Sequence, residues 1–262
     1  MADRQPFVLL DDARERGAAD AHLFEAPAQI FIARRASEVA DVLARADAAR
    51  RESSGTLAGY IAYEAGLALE PKLAEMADGR AGATGPLVWL GLFDRERAIA
   101  ADQVKAWLDE NADGEASLGP LEPQLSLGGY VKSFEALQDA IRAGDIYQAN
   151  LTFPLSGSYR GDPVSLYRAL RPAAKAGYGG MLFDGSHWLL SLSPELFVSL
   201  KDGTAKAKPM KGTRPRGQTV AEDRALAAEL ATSVKDKAEN LMIVDLMRND
   251  LSRVAQAGSV RV

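Results

Sequence analysis

The spacing of apolar positions changes along the chain, and that change predicts its elements. Short apolar runs at residues 7–10, 29–33, 57–63 and 87–93 have strand length and composition. Between them, residues 37–51 place Val39, Val42, Leu43 and Ala46 on one face at helical spacing. Residues 109–129 then lose all period and fill with Gly, Pro, Ser and acids, the composition of a linker or long loop. This divides the chain into residues 1–120 and 121–262.

Beyond the loop, Phe134, Leu137 and Ile141 line one face of a helix over 130–143, with Gly144 as its stop. Residues 146–155 read as a strand, 163–170 as a short helix, and 180–182 and 188–192 as strands. Two further strands, 195–200 and 204–210, flank Lys201-Asp202-Gly203, a hairpin signal. Thr219 and Glu222 form a capping box that opens a helix to Leu230, and Ser233 caps another over 234–248. Val234, Ala238, Leu241, Met242, Ile243, Val244, Leu246 and Met247 surround this last helix, which predicts burial on most of its sides. No repeat is visible, and residues 258–262 read as a strand just begun, so the chain reads as a truncation.

Composition narrows the chemistry. The hydrophobic fraction of 47% and charged fraction of 26% are those of a globular domain. A net charge of -5 makes the chain as a whole no electrostatic match for nucleic acid or an anionic membrane. No apolar run approaches bilayer length, and with no signal-peptide core the expected compartment is the cytoplasm. There is no cysteine, which excludes disulfides, thiolate metal sites and a cysteine nucleophile within these 262 residues. The two histidines, His22 and His187, are far apart in sequence. Any metal ligands would therefore be carboxylates, pointing to Mg2+.

Three clusters could carry reactions. A hairpin pivoting on Asp202-Gly203 pairs residues whose numbers sum to about 405, bringing Glu195 beside Met210 and Lys211. A single bulge would switch whether the carboxyl and the amine share a face. They are then either an acid and a potential nucleophile flanking one cleft, or an exposed cross-strand ion pair. Lys211 precedes Gly212 and Thr213 and lies among Lys206, Lys208, Arg214 and Arg216. Neighbouring cations favour its neutral form and would attract a dicarboxylate; a solvated basic loop is the plainer reading. Glu239, on the apolar helix, needs a partner, either a salt-bridge network or a metal ion.

Four strings resemble those of the chorismate-binding enzymes, a family that includes anthranilate, aminodeoxychorismate, isochorismate and salicylate synthases. They are Ala143-Gly-Asp-Ile-Tyr-Gln-Ala-Asn-Leu151, Ser193-Pro-Glu-Leu-Phe197, Lys208-Pro-Met-Lys-Gly-Thr-Arg214 and Ala238-Glu-Asn-Leu-Met-Ile-Val-Asp-Leu-Met-Arg-Asn-Asp-Leu251. Weaker similarity extends through Ala58-Gly-Tyr-Ile-Ala-Tyr-Glu-Ala65. The resemblance implies an α+β fold of two mainly antiparallel sheets packed together with outer helices, incomplete here at the C-terminus. Residues 1–120 would be an N-terminal lobe and 121–262 the first part of the catalytic core.

Lys before Gly-Thr resembles the component I (large) subunit of aminodeoxychorismate synthase, whereas anthranilate synthases typically carry Ala there. The resemblance implies amination of chorismate to 4-amino-4-deoxychorismate, on the route to 4-aminobenzoate and folate. Lys211 would be the nucleophile of a lysine-bound intermediate, Glu195 the general acid, and Glu239 one of two Mg2+ glutamates. Gly212 and Thr213 would bind substrate. Ammonia would come from a separate glutamine amidotransferase subunit, since the associated glutaminases use a cysteine. Gln148 stands where isochorismate synthases resemble one another in having a water-activating Lys, which argues against that branch. Leu9-Leu-Asp-Asp12 departs from a pattern tied to tryptophan feedback. The resemblance spans a little over half of the family's usual length, so these residues alone are expected to be inactive. Anthranilate synthase component I, or a non-catalytic fragment that binds chorismate or the partner, are the alternatives.

Overall fold

A computed structural model describes residues 4–77 and 85–262. In chain order the first elements are β1 (Phe7–Asp11), β2 (Ala21–Glu25), β3 (Gln29–Ala33), α1 (Val39–Glu52), β4 (Thr56–Ile61), α2 (Ala65–Leu69), α3 (Ala74–Ala77), β5 (Val88–Phe93), β6 (Arg97–Ile99) and α4 (Val104–Asn111). There follow two-residue strands β7 (Ser117–Leu118) and β8 (Glu122–Pro123), α5 (Leu127–Ala143), and two-residue strands β9 (Leu155–Ser156) and β10 (Tyr159–Arg160). The remainder is α6 (Pro163–Ala174), β11 (Tyr178–Phe183), β12 (Trp188–Ser193), β13 (Leu196–Lys201), β14 (Thr204–Lys208), α7 (Val220–Thr232) and α8 (Val234–Ser252). Two compact units result: Met1–Ser117 with Arg160–Pro194, and Leu118–Tyr159 with Glu195–Val262. No described helix is long and apolar enough to cross a membrane.

The first unit holds two antiparallel sheets, ordered β12-β11-β1-β2-β6 and β3-β5-β4. Side chains alternate across a strand, so each sheet sorts its apolar residues onto two faces. On β1, Leu9 lies in register with Leu23 and Met181, and this face meets Val104 and Leu108 of α4 and Val164 and Tyr167 of α6. The neighbouring Val8 points the other way, where with Phe24 and Leu182 it packs on Ala58, Trp89 and Phe93 of the second sheet. The back of that sheet (Phe31, Ala33, Val88, Leu92) is covered by Val39, Val42 and Ala46 of α1 and Ala65 of α2. The expected α+β architecture is therefore present, two packed antiparallel sheets between outer helices. Each large apolar side chain buried in these three clusters contributes about 1.5–3 kcal/mol.

One buried polar contact ties β1 to α6. The Asp11 carboxylate has no exposed side-chain surface and accepts from Arg171 Nε at 2.6 Å, Arg171 Nη2 at 2.9 Å and the Tyr167 hydroxyl at 2.8 Å. Burial beside that carboxylate raises the Tyr167 hydroxyl, and hydrogen bonding to Asp11 raises Arg171. The adjacent Asp12 grips Arg14 through Nε at 2.9 Å and accepts from Ala19 N at 2.9 Å, which holds its carboxyl down at about 2 despite burial.

The second unit is built differently. Helix α5 opens at Ser126, whose Oγ accepts from Gly129 N, and closes at Gly144 with φ 81. It begins three residues before the predicted start. No residue of this unit is fully buried. That corrects the expectation for α8: Val234 is 83% and Leu241 70% exposed, so an all-round apolar helix here lacks an all-round cover. Residues 146–155 are likewise not a strand; only Leu155 and Ser156 pair, with β8, because an extended segment needs a neighbouring ladder. Residues 258–262 form no strand either. The sequence pattern also passed over β2, β6 and most of α4.

Candidate active site

Strands β13 and β14 form the predicted hairpin, turning at Asp202 (φ 50) and Gly203 (φ 73) as a tight two-residue turn requires. Lys201↔Thr204, Leu200↔Ala205 and Ser199↔Lys206 keep the expected register sum, but an irregularity between Leu196 and Ser199 shifts the partner of Leu196 to Lys208. The bulge that would decide the side-chain faces is thus present. The ladder stops at Lys208, since Pro209 has no N–H to continue it. The next backbone donor, Met210 N, is taken instead by the Glu195 carboxylate at 2.9 Å. A side chain at the start of one strand thereby anchors the residue immediately before Lys211.

Lys211 lies on an irregular segment and is half-buried. It faces an open cavity of about 540 Å3, together with Leu230 and Ala231 of α7 and Asp236, Lys237 and Asn240 of α8. Among the described residues its ammonium has no hydrogen bond or ion pair. Gly212 follows with φ 74, and a Cβ there would lie 2.9 Å from Asp236 Oδ1 and 3.0 Å from Leu230 Cδ1. Glycine is demanded here by the chain's own packing on α7 and α8. Thr213 is exposed, and its carbonyl accepts from Arg214 Nη1 at 2.9 Å.

The loop after Lys211 is held by charge. Arg214 donates through Nε to Glu229 Oε1 and through Nη2 to Asp236 Oδ2, each at 3.0 Å. Arg216 is bidentate on Asp223 at 2.7 Å and 2.7 Å. Glu229, then Asp236, raises Arg214; Arg216 lowers Asp223; and hydrogen bonding with Ser233, then Arg214, lowers Asp236. The four cations expected to make the loop a basic attractor are therefore reduced, because Arg214 and Arg216 are already engaged by carboxylates. Arg214, read from the sequence only as a neighbouring charge, is a structural member of the site, and so is Asp236, which sequence reasoning did not single out. The only signal was Asp236 standing three residues after the Ser233 cap, whose Oγ accepts its N–H at 3.3 Å.

Glu239 lies on α8 but does not line the Lys211 cavity. Helical rotation of about 100° per residue carries it to the side of the face that bears Asp236, Asn240 and Val244. Its carboxylate reaches Lys235 Nζ at 3.8 Å. Among the described residues no group of three His, Cys, Asp or Glu is placed to hold a metal ion. The donor type suits Mg2+, but one carboxylate is too small a set to hold the ion by itself. On the other flank of α8, Tyr147 shares a cavity of about 910 Å3 with Met242, Asp245 and Arg248, joining the first of the four strings to the last. The neighbouring Gln148 has its Oε1 buried without a partner among the described residues.

Within the second unit, Tyr147 of the first string and Lys211 of the third both border cavities lined by α8, which carries the last string. A family model described as chorismate binding enzyme matches residues 5–262, and the chain belongs to that family. It is 40% identical to aminodeoxychorismate synthase component 1 of Klebsiella aerogenes over 161 residues, 60% of this chain and 36% of that protein. It is 46% identical to the Salmonella typhimurium aminodeoxychorismate synthase component 1 over 135 residues, 51% of this chain and 29% of that one. Anthranilate synthase component 1 of Acinetobacter calcoaceticus is 34% identical over 247 residues, 80% of this chain and 49% of that protein. The chain thus spans between about a third and a half of these relatives. Among solved structures, a Bacillus anthracis protein described as a 2,3-dihydroxybenzoate-specific isochorismate synthase superposes with TM-score 0.61 at 19% identity, covering 92% of this chain and 58% of that one. Anthranilate synthase component I from Streptococcus pneumoniae superposes with TM-score 0.58 at 24% identity, covering 76% and 50%. These two likenesses establish the fold.

Proposed function

We propose that the protein aminates chorismate at C4, giving 4-amino-4-deoxychorismate for 4-aminobenzoate and folate synthesis in the cytoplasm. The observation that carries this reading is the Glu195 carboxylate bound at Met210 N, which sets an acid against the segment bearing an unpaired lysine. In the proposed step the Lys211 amine adds to C2 of chorismate, the ring double bonds shift, and the C4 hydroxyl leaves as water with a proton from Glu195. Ammonia then adds at C4, the double bonds shift back, and the Lys211 amine leaves C2 unchanged. Gly212 and Thr213 border the substrate. A glutamine amidotransferase partner supplies the ammonia, consistent with relatives named as a component 1. Mg2+, to which Glu239 would give one carboxylate, would neutralise charge on a substrate carboxylate.

The second reading, anthranilate formation, is favoured by the long match to the Acinetobacter calcoaceticus relative. Incubation of the full-length protein with chorismate, ammonium and Mg2+, with product analysis by mass spectrometry, decides between them. Amine at C4, abolished by Lys211→Ala, supports the proposal. Anthranilate with release of pyruvate would establish the second reading. Equilibrium binding of chorismate without any turnover would leave only a binding role.

A further inference from the structure

Arg214 stands at the centre of the fixed part of the Lys211 loop, and its place there has a chemical consequence. It spans two helices by donating to Glu229 of α7 and Asp236 of α8 at 3.0 Å each. Asp236 also borders the cavity onto which Lys211 opens, and its side chain is only 14% exposed. The charged side chains that share this cavity with Lys211 are Asp236 and Lys237 from α8; Asn240 is its polar neutral member and the rest of the lining is apolar. Across the loop, Glu195 is occupied by Met210 N. Asp236 is therefore the acid of this cavity that could capture the Lys211 ammonium, and Arg214 already holds it. Gly212 narrows the choice further, because its close approach to Asp236 fixes the loop backbone beside that carboxylate.

We infer that Arg214 is a positioning residue for Lys211: by occupying Asp236 it keeps that carboxylate from pairing with the lysine amine and holds the loop that presents the amine. The inference rests on the reading of Lys211 as nucleophile and deepens it. An amine held in an ion pair stays protonated, and a protonated amine has no lone pair to give. Without Arg214, Asp236 would turn to Lys211, a cation of the same cavity whose neighbour Gly212 lies against that carboxylate, and quench it.

The test is acylation of the protein by a limiting amine-reactive reagent at one pH, with Lys211 modification read by peptide mass spectrometry and normalised to Lys105. Arg214→Gln should slow Lys211 labelling about 2- to 5-fold, the range a partly exposed ion pair supports. Arg214→Lys, which keeps a cation on Asp236, should label as the parent does, and so should Asp236→Asn. The double variant Arg214→Gln/Asp236→Asn should regain the parent rate, although the link between helices is gone; a purely structural role for Arg214 would give no such rescue. Should Arg214→Gln fail to fold, Arg214→Met, which retains the aliphatic stem, is read the same way. Parent-rate labelling in Arg214→Gln, or a double variant as slow as the single one, overturns the inference. Labelling as expected in a protein that makes no aminated product overturns the proposed reaction alone.

Discussion

Replacing Arg171 with Met should unfold the first unit more readily than any surface substitution, and its size follows from the contact it breaks. Asp11 has no exposed side-chain surface, and Arg171 supplies two of its three hydrogen bonds at 2.6 and 2.9 Å. Taking away one partner of a buried pair strands the other charge, which costs about 3–5 kcal/mol. Arg171 is itself 16% exposed, so water can reach part of the gap, and the lower end, about 3 kcal/mol, is expected. With a urea dependence of about 2 kcal/mol per M, the midpoint should fall by roughly 1.5 M. The assay is tryptophan fluorescence during urea unfolding. All three tryptophans, Trp89, Trp107 and Trp188, belong to the first unit, so the signal reports that unit alone. The double variant Asp11→Asn/Arg171→Met removes both charges while leaving Tyr167 an acceptor, and should recover most of the loss. A midpoint for Arg171→Met close to the parent's would refute the buried-charge argument. A double variant that falls as far as the single one would show that lost packing, not charge, sets the cost.

Asp12 gives a pH dependence with a definite sign. Its carboxyl is held at about 2, below the ordinary value near 3.9, so it stabilises the fold above pH ~4 and loses that contribution as pH falls towards 2. Acid unfolding followed by the same fluorescence should be flatter between pH 4 and 2 for Asp12→Asn than for the parent, and equal slopes would remove Asp12 from the account. Glu195→Gln keeps an oxygen to accept from Met210 N but has no proton to donate. Turnover should therefore drop about 10²- to 10⁴-fold with the thermal midpoint unchanged, and full activity would make Glu195 a structural residue. Gly212→Ala brings a Cβ to 2.9 Å from Asp236 Oδ1 on a backbone with φ 74, so Lys211 labelling and chorismate turnover should both change; parent values for both would mean the loop yields freely.

Local patterns were legible where their cause is local. The turn at Asp202-Gly203, the caps at Thr219 and Ser233 and the stop at Gly144 all stand where the sequence placed them, because each depends on a few adjacent residues. The apolar run of β1 was readable, but the purpose of Asp11 at its end was not, because Arg171 lies 160 positions away. In β2 only Leu23 and Phe24 form an apolar run, between His22 and Glu25, so it did not stand out, and α4 was partly absorbed by the loop composition that follows it. Apolar content misled for α8, since composition states what a helix could bury and only packing decides what it does bury. For the site, the hairpin arithmetic brought Glu195 to Met210 correctly to within one register step. The bulge responsible for that step is a tertiary feature. Arg214 was seen as a charge beside Lys211, but its two acids belong to other helices and made no local signature.

The central position of β1 in the five-stranded sheet has a temporal side. One edge of β1 is satisfied early by β2, but the other waits for β11, roughly 170 residues later along the chain. At a synthesis rate of about 5–20 residues per second, that edge stays unpaired on the ribosome for roughly 10–35 s. During that interval the chain carries an open template of backbone donors and acceptors next to Val8 and Leu9, the arrangement that invites pairing with a neighbouring nascent chain. Slow, long-range closure of this strand, more than any step in the local helices, should set the folding rate and the yield of this protein when it is produced quickly.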